Sequence, residues 1–422
     1  MKILISAGEL DKELNANTKI ILQLAEYMAN QGNEVAVCGI CCYKPCSEIY
    51  NKVKIEKFSA HKIMVKAVEG FEEFAENGIR NNARKQFIKK HPLKSALLFV
   101  RYNKFYIQKI EQPLYLKKIE KYIDEFKPDA VILPYKPINS FETVVNANIN
   151  VNMFAYQLDP WGLHRIDNAD NNEDAVKKEC AAFEKVKHIF TTPVLLRQYK
   201  DNELYKKYIS KMTAVDFPNI KNSKDLEKSE NKIQSAIEFK KEDINILFCG
   251  IVADSFRSPE FVLKALEPVF KENKNVKIYF MGTNNSDVLN KFLEKYPHNV
   301  FFKEKVDNLQ AAATMQNADI LLNISNKIDN QVPSKIFDYF SVGKPILNLQ
   351  RIENCPAEEY LKKYPIGYTI KEGEECDKQK LKNFIENAKG KNIGFNEVEK
   401  IYKTATVKFV ADSMLDVIKS KI

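Results

Sequence analysis

Lys2-Ile3-Leu4-Ile5-Ser6 stands almost at the N-terminus, with a polar loop behind it and a helical stretch from Asn17 to Asn30 beyond. Gln31-Gly32-Asn33 then breaks the helix, and Glu34-Val35-Ala36-Val37-Cys38-Gly39-Ile40 reads as a second short apolar run. Short β-rich runs on either side of an amphipathic helix describe a βαβ unit, the building block of a parallel sheet with helices on its faces. The same rhythm continues at 53–58, 130–134, 152–157, 188–192 and 212–217, interrupted by a helix-rich stretch without strands between about 61 and 126. A polar Lys/Glu/Asn/Ser segment over 222–243 is expected to link two domains. Beyond it the alternation restarts, with strands expected at 244–249, 276–281, 300–302, 319–324, 345–349 and 367–370 and helices between them.

The pattern therefore predicts an α/β protein of two Rossmann-like domains facing a cleft. The first is expected over 1–215, with a helical insertion at about 61–126, and the second over 216–400. A C-terminal helix, 401–422, is expected to cross back to the first domain. At 422 residues the chain exceeds the size at which one hydrophobic core stops growing. A content of 45% hydrophobic and 29% charged residues excludes a disordered chain. Ligands of such sheets sit at the carboxyl ends of the strands.

The N-terminal apolar stretch spans only Ile3 to Ala7 and meets Glu9, unlike a signal peptide. No window reaches the roughly 18 uncharged apolar residues of a membrane span. A cytoplasmic location is expected, and the eight cysteines suit a compartment that keeps thiols reduced. Cys38 and Cys41 have C-x-x-C spacing with Cys42 and Cys46 nearby, but no second pair completes a ligand set, so no metal is expected. The net charge of +9 is concentrated in Arg80, Arg84, Lys85, Lys89, Lys90, Lys94, Arg101, Lys104 and Lys109, a run from 79 to 109 without an acid. Phe87, Ile88, Leu97, Leu98, Phe99, Tyr102 and Phe105 interleave with these cations. That combination suits an anionic membrane surface, or a solvated helical insertion packed on its own domain. No nucleic-acid motif accompanies the charge, and no nucleic acid is expected as partner.

The most informative chemistry lies in Asn326 to Ile346, NKIDNQVPSKIFDYFSVGKPI. Ser334 after Pro333 starts a helix whose first turn exposes backbone N–H groups, a setting suited to a diphosphate. Lys335 opposes the helix dipole there unless it faces an anion, and Asp338 lies one turn on along the same face. Gly343 and Pro345 close the helix.

Val332-Pro-Ser-Lys-Ile-Phe-Asp-Tyr339 followed by Gly343-Lys-Pro-Ile346 resembles the donor-site signature of retaining glycosyltransferases of GT-B fold, the family four group. Gly250 at a strand end, Arg257-Ser-Pro-Glu260 opening a helix, and Asn317-Ala-Asp-Ile-Leu-Leu322 extend the resemblance over about 110 residues of the C-terminal half. It implies that Asp338 holds the ribose hydroxyls and that Arg257 and Lys335 form a cationic clamp on the diphosphate. Stabilising charge that develops on a leaving group is commonly the largest catalytic contribution. Gly250, Gln331, Val332, Pro333 and Ser334 would complete the donor site. The chain departs from the family in two places. Ile251 replaces an Arg, and Asn330 replaces the Glu beside the donor sugar, so hydrogen bonding there survives without the charge.

On the first domain, Gly8 and Glu9 after the first strand and Gln157 and Asp159 after another are the candidate acceptor-side residues. The resemblance implies transfer of a sugar from a nucleoside diphosphate sugar to a hydroxyl of a glycan or lipid-linked saccharide, with retention and without a metal or other cofactor. Two alternatives stay open: a non-catalytic nucleotide-sugar-binding or scaffold protein on the same fold, and a GT-B sugar-nucleotide epimerase. A dehydrogenase is disfavoured, because no G-x-G-x-x-G follows Ser6.

Overall fold

A computed structural model describes residues 1–10, 16–41, 46–59, 90, 110–135, 138–163, 173–222 and 233–422. The chain divides into two compact units, one of residues 1–164, 169–218 and 407–422, the other of 165–168 and 219–406.

The first unit is built on β1 (Lys2–Glu9), β2 (Glu34–Cys41), β3 (Cys46–Tyr50), β4 (Val53–Ser59), β5 (Ala130–Tyr135), β6 (Met153–Gln157), β7 (His188–Thr191) and β8 (Met212–Ala214). They form one sheet in the order β3-β4-β2-β1-β5-β6-β7-β8, parallel except for β3, which pairs antiparallel with β4 at the edge. The central strands are buried along their whole length, as the continuous apolar runs require of strands covered on both faces. Covering them are α1 (Ala16–Asn30), α2 (Gln112–Phe126), α3 (Ile138–Asn146), α4 (Glu173–Lys185) and α5 (Pro193–Asp201).

Most of the segment expected as a helical insertion, 61–89 and 91–109, lies outside the described residues, and the basic run falls there too apart from the exposed Lys90. Its last part is corrected by the structure. Helix α2 is a framework helix, with Tyr115, Ile119, Tyr122 and Phe126 buried in the unit's core beside Phe58.

The cysteines contribute packing here. Cys38 and Cys41 are buried, and Cys46 is exposed on β3. Burial pushes the Cys38 thiol up to about 12, against a hydrogen bond with Tyr115 3.8 Å away.

The second unit holds β9 (Ile244–Ala253), β10 (Val276–Asn285), β11 (Val300–Glu304), β12 (Ile320–Ile324), β13 (Ile346–Gln350) and β14 (Gly367–Lys371), all parallel, in the order β11-β10-β9-β12-β13-β14. Its helices are α6 (Glu260–Glu272), α7 (Asp287–Lys295), α8 (Asn308–Asn317), α9 (Lys335–Val342), α10 (Pro356–Leu361), α11 (Lys378–Glu386) and α12 (Phe395–Ile401). This is the doubly wound order, in which the chain runs outward from β9 in one direction and then returns to start again at β12. The place where it reverses, between β9 and β12, is where such sheets open a crevice.

Two boundaries differ from the sequence reading. The first unit extends to Pro218, and the described part of the expected linker is packed on the second unit, where Ala236 N donates to Thr314 Oγ1 at 2.9 Å. The second unit continues to Thr406, and only α13 (Val407–Lys421) belongs to the first, where it lies along α1 with Tyr27 donating to Asp412 at 3.4 Å. Among the described residues no helix is long and apolar enough to cross a membrane.

Candidate functional site

The carboxyl ends of β9, β10 and β12 build the candidate site. Strand β12 is in register with β9 only at Ile320–Ile246 and Leu321–Leu247. Beyond Leu247 the two strands splay, and the backbone of Cys249 must find other partners. The Tyr339 hydroxyl supplies them, accepting from Cys249 N at 3.1 Å and donating to Cys249 O at 3.5 Å. Helix α9 is thereby fastened under the end of β9 by the residue next to Asp338.

One residue on, Gly250 faces Gly282 of β10 in register. Their φ angles are 154° and 143°, and a Cβ on Gly282 would stand 2.0 Å from Gly250 O. A side chain is excluded at Gly282, and both glycines present bare backbone just before their strands end at Ala253 and Asn285.

After β9 the chain makes a turn closed by Arg257 N donating to Ala253 O at 2.9 Å. Inside the turn, Asp254 accepts from Asp287 N at 2.9 Å and from the Ser286 hydroxyl, which fixes it to the start of α7. The turn points Arg257 across the splayed gap. Its Nε and Nη2 donate to Asn326 Oδ1, just past β12, at 3.1 and 2.6 Å. A Cβ on Gly250 would lie 3.5 Å from Arg257 Nη1.

Among the described residues no carboxylate pairs with this guanidinium; a neutral amide accepts its hydrogen bonds, and the Phe256 ring lies 5.9 Å from it. Burial lowers its pKa from the ordinary value, a tendency Tyr339 opposes and Arg351 reinforces. A desolvated cation without a counter-charge is costly, and an incoming anion would relieve it.

Lys335 and Asp338 stand half-buried in the first turn of α9, their charged atoms 4.0 Å apart. Tyr339, next to Asp338, is hydrogen-bonded to Cys249, next to Gly250, so the pair lies beside that part of β9; burial pushes the Cys249 thiol up to about 12. The structure thus gathers Gly250, Arg257, Lys335 and Asp338 at one place. Ser334 is itself helical and caps nothing with its side chain. Ile336 N and Phe337 N donate back to Pro333 O and Ser334 O, at 3.1 and 3.2 Å, so the helix tip offers fewer free N–H groups than the sequence suggested. Gln331 and Pro333 are half-buried, Val332 is buried, and Asn330 is 1% exposed.

The acceptor-side candidates all lie in the first unit. Gly8 and Glu9 end β1, just after a register shift against β2. Asp159 is buried in the turn after β6. Gln157 closes β6, fully buried beside Thr191 of β7, and among the described residues neither its amide nitrogen nor its amide oxygen has a hydrogen-bond partner. The turn itself is anchored by Glu179 of α4. Its carboxyl accepts from Gly162 N at 3.0 Å, from Tyr199 at 2.9 Å and from Tyr205 at 2.5 Å. Sequence reasoning missed Asn326, Tyr339, Arg351 and Glu179. Asn326 and Tyr339 lie within the stretch from Asn326 to Ile346, while Arg351 and Glu179 carried no local signal.

No protein-family model matches the chain, and no curated protein matches it in sequence. Solved structures do match over its whole length. A sucrose-phosphate synthase from Thermosynechococcus elongatus aligns at TM-score 0.64 and 12% identity, covering 99% of this chain and 98% of the other. The fold is GT-B. A UDP-forming trehalose-phosphate synthase from Burkholderia xenovorans shares it at TM-score 0.59 and 10% identity, over 100% and 99% of the two chains. A UDP-GlcNAc 2-epimerase from Methanocaldococcus jannaschii does so at 0.56 and 12%, over the full length of both. At such identities the likeness is one of GT-B architecture.

Proposed function

We propose that the protein is a nucleotide-sugar-dependent glycosyltransferase whose donor diphosphate binds at the end of β9. The observation that carries this reading is the half-buried Arg257 guanidinium, which no carboxylate among the described residues pairs with, beside the backbone of Gly250 and Gly282. Lys335 is the second cation, and Asp338 holds the ribose hydroxyls. Both contacts favour an anion followed by a diol, which is the order of groups in a nucleoside diphosphate.

In the proposed step an acceptor hydroxyl oxygen bonds to the anomeric carbon while the bond from that carbon to the β-phosphate oxygen breaks. The electron pair leaves with the nucleoside diphosphate, and the acceptor proton passes to the departing phosphate. Arg257 and Lys335 stabilise the charge that appears on that phosphate, and for this role we propose no metal. Asn330 contributes a hydrogen bond to the donor sugar, and Gly250, Gln331, Val332, Pro333 and Ser334 shape the pocket. Gly8, Glu9, Gln157 and Asp159 contact the acceptor, a glycan or lipid-linked saccharide, with the anomeric configuration retained. We place the protein in the cytoplasm, drawn to the inner membrane face by the basic segment 80–109.

The test is thermal unfolding with UDP, GDP and ADP. One of them, at about 100 times its dissociation constant, should add roughly 2.7 kcal/mol of stability. Asp338→Ala should abolish that gain, and a protein indifferent to all of them would remove the transferase reading. Sugar release from the matching donor, dependent on added acceptor, separates transfer from mere binding and from epimerisation.

A further inference from the structure

Arg351 follows β13 directly, and its side chain is 3% exposed. Its Nε donates to Glu372 Oε2 at 2.6 Å, on the far side of the sheet just past β14. Its Nη1 donates in the opposite direction, to Phe256 O at 2.7 Å, across the end of β12. Phe256 is the residue before Arg257, inside the turn that follows β9. The backbone N–H of Arg351 donates to Ser325 Oγ at 3.0 Å, one residue before the Asn326 that holds the Arg257 guanidinium. Lys327 reaches the other oxygen of Glu372 at 3.4 Å.

The ends of β12, β13 and β14 are thus tied together, and the tie closes on the turn that carries Arg257.

We propose that Arg351 is a positioning residue for the diphosphate grip, fixing the Ala253–Arg257 turn through the Phe256 carbonyl so that Arg257 stays aimed across the gap. Glu372 holds Arg351 in place from behind. The inference rests on the donor-site reading above. Arginine is required because a planar fork can donate in two directions at once, whereas the single ammonium of lysine would keep one bond and lose the other.

Arg351→Ala would leave Glu372 with Lys327 alone and the Phe256 carbonyl without its donor, and could unfold the unit. The informative variants are therefore Arg351→Lys, which keeps the charge, and Glu372→Gln, which keeps Arg351 but loosens it. Dissociation constants for UDP, GDP and ADP are measured by calorimetry on the full chain, in the native and Arg257→Ala backgrounds. Each variant should weaken the preferred diphosphate by about tenfold in the native background and change nothing further once Arg257 is gone.

If Arg351 merely lends positive charge, Glu372→Gln tightens binding, and the proposal is overturned. It is equally overturned if Arg351→Lys costs the same in both backgrounds, the signature of a general structural role. A wild-type chain that binds no nucleoside diphosphate overturns the donor-site reading itself, and this inference with it.

Discussion

At the scale of the residue, Arg257 carries an internal conflict between stability and binding. Its guanidinium is half-buried, and among the described residues it meets the amide oxygen of Asn326 but no carboxylate. Removing the charge relieves a desolvation cost, while removing the donor leaves Asn326 Oδ1 without these bonds. The two effects oppose each other at about 1–3 kcal/mol each. Arg257→Met should therefore change the thermal stability of the unliganded protein little. Diphosphate affinity should fall about 10- to 100-fold, the worth of a charge-assisted hydrogen bond. Calorimetric titration paired with a melting curve checks both, and a large loss of stability with intact affinity would make Arg257 structural. Gln157 shows a related tension, since a fully buried amide whose polar atoms find no partner among the described residues costs stability in the unliganded fold.

At the scale of the element, α4 supplies the clearest consequence of burial. Burial raises the Glu179 carboxyl from 4.5 to about 7, with the hydroxyls of Tyr205 and Tyr199 and the Gly162 N–H pulling it down less strongly. Between these values the folded chain binds a proton that the unfolded chain has released. Stability from this group is complete below the unfolded value, declines as pH rises through the window, and is gone above the folded value. The wild type should thus lose on the order of 3 kcal/mol relative to Glu179→Gln between about pH 4.5 and about pH 7. Melting temperatures of both proteins across that range test the slope; parallel curves would place the titration elsewhere.

The same scale shows what the sequence could and could not disclose. The strands were readable because buried parallel strands need unbroken apolar runs, as in Ile246–Cys249 or Ala130–Leu133. Strand β3 was not, because Cys46–Tyr50 is exposed at every position and leaves no burial pattern. Helix α2 was assigned to the insertion because its apolar face looks the same whether it packs on a sheet or on a neighbouring helix. In the site, Lys335 and Asp338 were legible as a pair three residues apart on one helix. The Arg257–Asn326 and Arg351–Phe256 contacts join residues 69 and 95 positions apart, and no local pattern reports them.

At the scale of the whole molecule, the chain has two compact units with separate hydrophobic cores, one around Phe141, Phe183 and Tyr199, the other around Phe248, Phe280 and Leu322. Units with their own cores unfold as their own cooperative steps when the surface joining them is modest. Calorimetry of the full chain should then resolve two transitions that respond to different variables. Every residue of the proposed diphosphate grip lies in the unit spanning 219–406, so a bound nucleoside diphosphate should raise one transition and leave the other in place. Glu179 lies in the other unit, so the pH dependence between about 4.5 and about 7 should follow the transition that the nucleotide does not move. Arg257→Met should erase the nucleotide response without touching the pH response, and Glu179→Gln should do the reverse. A single transition shifted by both variables would mean that the units melt together. The nucleotide would then be stabilising the whole molecule through its grip on one strand end.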